Sequence, residues 1–460
     1  MSQNRSRWLA ASCVAALALV LAPAATAETI HGALARAYHA NPDLNAQRAA
    51  TRATDESVPQ ALSGYRPRVT GSADAGITTQ SSHLEGRPYT RDTFLPRGYG
   101  LTVDQVIYNG NRTANQVRGA ESRVLGARET LRNTEQTILL NAATAYMNVL
   151  RDTALLNLQR NNIEVLTVQL NQTQDRFRVG EVTRTDVAQS ESRLAKASSD
   201  SFVAEANLKS SIATYQQIVG DPPKKLAPAK PVEHLLPRTR DIAIGISQRE
   251  HPAIIAALHG VDQQQLNVKT IEGELYPTIS VQANALRRYE STSSGSDTWQ
   301  ASLIGRLSVP IYEGGQTYSR VREAKETLSA QRITVDSQRE RIRQAVVASW
   351  GALEATRAQI KAAESQVRAA EIALAGVREE AKVGQRTTLD VLNAQQDLLN
   401  ARVSLVTFQR DRVVASYNVL ASVGGLSLRT LGVNVAQYDP KVHYQQVRDK
   451  WIGLRTPDGQ

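Results

Sequence analysis

The sequence predicts a mixed α and β chain, mainly α. Long coiled-coil hairpins are built twice over, and four β-strands cannot close a sheet alone. Three observations carry this. Motifs return at a near-constant interval along the chain, a seven-residue apolar seam runs through two long stretches poor in Gly and Pro, and short segments alternate apolar and polar residues.

The first 27 residues read as a cleavable export signal. Arg5 and Arg7 precede an apolar run over 8–21, and Ala25-Thr26-Ala27 supplies small residues at the expected cleavage point. The run of about 14 residues is short of the ~20 that a spanning helix needs. Cys13, the only cysteine, lies inside it and away from the cleavage point, so no lipid-attachment site is expected. The remaining chain then has neither disulfides nor thiolate metal ligands. It also has no apolar stretch of transmembrane-helix length, which leaves a periplasmic protein or a β-barrel, whose alternating signal is weak.

The first repeat is expected over 28–220 and the second over 241–428, joined by a proline-rich linker over 221–240. Asn41-Pro42 and Tyr65-Arg66-Pro67-Arg68-Val69 return as His251-Pro252 and Leu275-Tyr276-Pro277-Thr278-Ile279, a shift of 210. Ile107-Tyr108-Asn109-Gly110 returns as Ile311-Tyr312-Glu313-Gly314, a shift of 204. Val179-Gly180 with Thr185-Asp186-Val187 returns as Val383-Gly384 with Leu389-Asp390-Val391, again at 204. The drop of six residues falls between the strands, so one inter-strand loop is shorter in the second half. Each repeat reads as helix, two strands, a very long helix, a tight turn and a helix.

Barrel strands are expected over about 67–108 and 277–311. Val69, Gly71, Ala73, Ala75 and Ile77 alternate with Thr70, Ser72, Asp74 and Thr78, and Ile279, Val281, Ala283 and Ala285 alternate with Ser280, Gln282 and Asn284. Trp299, Ala301, Leu303, Leu307, Val309 and Ile311 form another such face. This suits a wall with lipid on one side and water on the other. The segments 81–98 and 290–297, rich in Gly, Ser, Pro and charge, are expected as extracellular loops. Four strands would leave open edges in hydrocarbon, so two, three or four chains must pool theirs into one barrel.

In the long helices Val149, Leu156, Ile163, Leu170 and Phe177 recur every seven residues, as do Val346, Leu353, Ile360, Val367 and Leu374. A sustained heptad means helices packed side by side. A helix from Tyr108 to Arg178 would be roughly 100 Å long, far more than a globular core requires. A generic coiled-coil rod would share these helices but not the strands. Tip turns are expected at about 179–183 and 383–387.

Other functions fare poorly. The net charge of +10 and pI near 9.7 come from basic residues scattered among acids along helices, so they read as solvated faces rather than a nucleic-acid surface. The seven histidines are dispersed and Glu250-His251 runs into Pro252, which spoils any metalloprotease-like helix. There is no nucleophile elbow, phosphate-binding loop or Cys/His cluster. Neither an enzyme, a cofactor nor a metal is expected.

The doubled plan, the Ile-Tyr-x-Gly-Gly step at Ile311 to Gly315 and the two tip sequences resemble the TolC family of outer-membrane factors, over about 28–428. Two copies of V-G-x-x-T at the repeat spacing carry most of that likeness. The resemblance implies a homotrimer, with a twelve-stranded barrel in the outer membrane continuing into a twelve-helix periplasmic tunnel. It implies a channel for drug efflux or type I protein secretion, served by a periplasmic adaptor and an inner-membrane pump of ABC, RND or MFS type. By the same resemblance, Asp186 and Arg386 map onto links that hold the tip shut, and Asp390 onto an acidic constriction ring. The family's second acidic position is Asn393 here, and a tip tyrosine common in the family is replaced by Ala381. A ring of carboxylates favours cations, and a single ring implies a weaker preference than two. Val179, Gly180, Thr183, Val383, Gly384 and Thr387 are the expected adaptor contacts. A periplasmic adaptor or scaffold using its coiled coils only for protein contacts is the competing class. It would carry one hairpin with flanking β domains and need no detergent. The tail over 429–460 lies beyond the repeats and is expected around the middle of the tunnel or without fixed structure.

Overall fold

Two helical hairpins of matched length set the architecture. The computed structural model describes residues 27–82, 85–86, 88–457 and 459; the export signal expected over 1–27 therefore lies outside the described residues as far as residue 26. The first half runs α1 (Ile30–Ala40), α2 (Pro42–Asp55), α3 (Ser57–Leu62), β1 (Arg68–Ala75), β2 (Thr78–Ser82), β3 (Thr90–Phe94), β4 (Arg97–Asn109), α4 (Arg112–Arg178) and α5 (Arg184–Val219). The second half runs α6 (Arg240–Glu250), α7 (Pro252–Glu272), β5 (Thr278–Tyr289), β6 (Asp297–Ser308), α8 (Gln316–Lys382) and α9 (Thr388–Val423), and α10 (Pro440–Val447) follows. α4 and α8 each have 67 residues, and α5 and α9 each have 36.

Local chemistry places the helix ends. Asn41 caps α2 by accepting from the Asp43 and Leu44 amides at 3.0 and 3.1 Å. His251, its repeat partner, caps α7 through Nδ1, which accepts from Ala253 N at 3.2 Å. Both caps precede a proline at the first helical position, where the missing N–H costs nothing. α7 is continuous, whereas its counterpart is split into α2 and α3. Pro59 explains the split, because it cannot donate to the Asp55 carbonyl one turn earlier. Lys269 stands at the matching place in α7.

The helices pack along the heptad seams. Val149, Leu156, Val346, Leu353, Ile360 and Leu374 are buried, Ile163, Leu170 and Val367 are half-buried, and Phe177 is exposed. The first seam thus ends exposed at Phe177, whereas the second ends buried at Leu374, against Val391 and Leu398 of α9. A charged residue is buried beside the seam: the Asp152 carboxylate accepts from Arg151 Nε and Nη2 at 2.8 and 3.1 Å and from the Ser211 hydroxyl. The thickest core lies mid-molecule around Tyr146, Tyr215 and Tyr417, where α1, α4, α5, α9 and the linker meet. The linker is held there by Glu233, which accepts from Arg357 Nη2 on α8 and Arg412 Nε on α9, both at 2.8 Å. Those two guanidinium groups push the Glu233 carboxyl down to about 2.

Four of the six described strands form an antiparallel sheet in the order β1-β4-β5-β6, so the halves join through β4 and β5. Register puts Val69, Val103, Ala283 and Leu303 in one row and Leu101, Ala285 and Ala301 in the next, all on one face. The opposite face presents Thr70, Thr102, Asn284 and Ser302 in one row, with Asp104 accepting from Gln282 Nε2 at 2.8 Å in another. Leu303, Leu307 and Trp299 are exposed on the apolar face. β1 and β6 each pair on one side only. Among the described residues no helix is long and apolar enough to cross a membrane.

Several expectations are corrected: β6 ends at Ser308, so Val309 and Ile311 lie beyond the strand expected to reach 311, and the tail expected mid-tunnel or without fixed structure is tied to Tyr38, Asp55 and Arg66 of the first repeat. The segment 81–98 carries part of a second antiparallel pair, β2 with β3, instead of being loop throughout. Thr79 and Thr93 face each other with hydroxyls 3.1 Å apart. β-Branched threonines favour the pleat, and a pair that is polar apart from Phe94 gives no period-two signal. The second half has only 290–296 between β5 and β6, consistent with the shorter inter-strand loop expected there.

Candidate functional site at the hairpin tips

The two turns that end the long hairpins share one construction. α4 ends at Arg178, and Gly180 then takes φ +81°, which lets Glu181 N donate back to the Arg176 carbonyl at 2.9 Å. α8 ends at Lys382, Gly384 takes φ +78°, and Gln385 N donates to the Glu380 carbonyl at 2.9 Å. These are left-handed caps that only glycine adopts without strain. Thr183 and Thr387 then start α5 and α9 with reciprocal capping boxes. The Asp186 carboxylate accepts from Thr183 N at 2.9 Å and its hydroxyl at 2.7 Å, and Asp390 accepts from Thr387 N at 3.0 Å and its hydroxyl at 2.9 Å.

These bonds give the expected gate and ring residues defined places. Asp186 and Asp390 are equivalent third positions of their helices, half-buried at the turn. The hydrogen bonds from Thr387, with the Arg386 charge nearby, hold the Asp390 carboxyl below its usual range. Arg386 donates Nε to Glu380 Oε2 at 2.8 Å, so within one chain it is engaged in its own turn, as Asp186 is in the other. Its pKa is raised by that bond and by the Glu380 and Asp390 charges. Asn393 Oδ1 accepts from Arg193 Nη2 at 2.8 Å, which ties α9 to α5 across the two hairpins.

The residues expected to meet an adaptor sit together at each turn. Val179 is 72% exposed and Val383 is 71% exposed. Around Gly180 and Gly384 nothing stands within 4 Å of where a side chain would begin. Each tip therefore offers an exposed valine on a bare glycine turn beside a threonine cap. Ala381 is half-buried among the apolar residues packed on Leu374, Val391 and Leu398.

Three tip contacts were not foreseen from sequence. They are the Arg176–Glu181 pair at 3.0 Å, the Glu380–Arg386 pair, and the Arg193–Asn393 bond. The first two had a signal, since opposite charges flank each turn glycine. The third joins residues 200 apart and had none.

The chain matches the family described as Outer membrane efflux protein over residues 33–221 and 243–425, and the gap falls at the linker. It is 41% identical over 440 residues to Outer membrane efflux protein BepC of Brucella suis, covering 95% of this chain and 94% of that one. It is 25% identical over 381 residues to Outer membrane protein TolC of Escherichia coli, covering 74% and 77%. The CmeC outer membrane channel of Campylobacter jejuni shares the fold, with a TM-score of 0.75 at 16% identity over 91% of this chain and 89% of that one.

Proposed function

The chain belongs to the outer membrane efflux protein family, and on that premise we propose that it works as a homotrimeric exit duct whose periplasmic tip is opened by its partners. The observation that carries the proposal is the four-stranded sheet, apolar and exposed on one face, with β1 and β6 unpaired on their outer sides. In hydrocarbon those edges must be paired. Three copies joined edge to edge give a twelve-stranded barrel, and their α4, α5, α8 and α9 helices give a twelve-helix tunnel in line with it.

The duct does no chemistry; its mechanism is a change of tip conformation. At rest, Asp186 and Arg386 link neighbouring hairpins and the Asp390 carboxylates, with Asn393 one turn further on, line the constriction. A periplasmic adaptor docks on Val179, Gly180, Thr183, Val383, Gly384 and Thr387, and an inner-membrane pump of ABC, RND or MFS type delivers cargo for efflux, type I secretion or both. An N-terminal signal cleaved near Ala27 exports the chain, and the polar face of the barrel lines its water-filled interior.

The test is the protein mass of particles extracted from outer membranes in mild detergent, with detergent mass subtracted. Three protomers per particle is the expected result. A monomer that stays in solution without detergent would overturn the duct and leave a periplasmic scaffold.

A further inference from the structure

The chain does not end at its second hairpin. After α9 it runs back over the first repeat toward the sheet. Tyr438 N donates to the Tyr38 hydroxyl at 3.0 Å, His443 Nδ1 lies 3.0 Å from Asp55 Oδ2, and Arg128 sits 5.0 Å from the centre of the Tyr444 ring. The last hold is Arg66, which donates Nη1 to the Lys450 carbonyl at 3.0 Å and covers the Trp451 ring at 4.6 Å. Arg66 lies just ahead of β1, whose apolar face begins at Val69.

The strap therefore finishes at the helix-side rim of the sheet, and there it turns its apolar side chains outward. Trp451 is 66% exposed, Ile452 89%, and Leu454 fully. Lys450 closes the turn by donating Nζ to the Arg455 carbonyl at 2.6 Å. A tethered, ordered segment that exposes three large apolar groups between a lysine and an arginine is costly in water and suited to a bilayer interface. The repeat supplies a second argument. The position equivalent to Arg66 in the second half is Tyr276, which is itself exposed. The second half carries the Tyr276 ring at that rim. The first half carries the exposed Tyr65 with Arg66, and the strap adds Trp451 against Arg66.

We propose that residues 450–455 are a membrane-interface anchor, with Trp451, Ile452 and Leu454 seated among phospholipid headgroups at the periplasmic rim of the barrel. This rests on the sheet lying in the bilayer as proposed above, and the test separates the two ideas. Beyond the N-terminal segment the tryptophans are Trp299, Trp350 and Trp451. Trp299 lies on the apolar face of β6 and Trp350 on α8, where its indole donates to Glu354. The full protein is reconstituted in vesicles of phosphatidylcholine brominated close to the headgroup, in three versions that each keep one of these tryptophans and change the others to Phe.

The expected result is loss of fluorescence from Trp451 and Trp299, relative to unbrominated vesicles, with Trp350 unchanged. Quenching of Trp299 but not Trp451 overturns the anchor alone. Acrylamide then says whether the strap faces water, where it quenches Trp451, or is covered by a neighbouring subunit, where it does not. No quenching of either residue overturns the barrel reading along with it. Arg66→Ala in the version keeping Trp451 is expected to weaken its quenching by lipid, since the strap loses its post.

Discussion

Arg386 and Glu380 close the second hairpin turn upon itself, Nε to Oε2 at 2.8 Å, and the first turn is closed by Arg176 and Glu181 with the charges in reversed order along the chain. Any link from Arg386 to Asp186 on a neighbouring hairpin must compete with Glu380 for the same guanidinium. Single-channel conductance in planar bilayers reads that competition. Asp186→Asn and Arg386→Gln are expected to raise conductance by loosening the tip, whereas Glu380→Gln releases Arg386 to its neighbour and lowers it. If all three behave like the parent protein, the tip is held by something else.

The constriction is tested by selectivity. Asp390 is kept ionised by its bonds from Thr387 and by Arg386, so Asp390→Asn is expected to move the reversal potential in a salt gradient toward zero. Asn393→Asp adds a second carboxylate one turn on and is expected to increase cation preference. An unchanged reversal potential in both would place the constriction elsewhere.

At the turns, stability and partner binding should separate. Gly180→Ala and Gly384→Ala meet no neighbouring atoms but force a left-handed side-chain residue, at a cost of about 1 kcal/mol each in unfolding experiments. Val179→Asp and Val383→Asp alter only an exposed side chain. They are expected to leave the melting temperature unchanged and abolish co-purification with a periplasmic adaptor. Retained co-purification would move the docking surface off the tips.

His251 provides a pH signature. Burial, with Arg132 nearby, pushes it from 6.5 down to about 4, and its Nδ1 accepts the cap bond only when the ring is neutral. Between those values the unfolded chain binds a proton that the folded chain refuses. Stability is therefore full above pH 6.5 and falls as pH drops toward 4, by on the order of 3 kcal/mol. His251→Asn copies the cap that Asn41 makes in the first half. It is expected to remove that part of the acid sensitivity, followed by unfolding of detergent-solubilised protein across the interval. A parallel loss in both proteins would trace it to other groups.

Much of this was legible in sequence because each feature had a local cause. The tips announce themselves through a glycine that must adopt positive φ and a threonine that must cap, three residues apart and twice over. The seam from Val346 to Leu374 shows its partner face directly. What escaped had no local signature. The β2–β3 pair has one large apolar side chain, Phe94, so its alternation carries no contrast. Asn393 meets Arg193 only because two hairpins of equal length lie side by side. The strap over Arg66 is invisible because Lys450 and Arg66 are 384 residues apart.

The matched helices and the unmatched strands have a joint consequence for symmetry. Both hairpins share one length and one turn, so each chain presents its tip motif twice in near-equivalent form. The sheet end is different, since the β2–β3 pair crowns only one of the two strand connections. Anything that recognises the helical end meets twice as many equivalent sites per chain as anything that recognises the outer mouth. In the proposed trimer that sets six tip turns at one end against three crowned strand connections at the other.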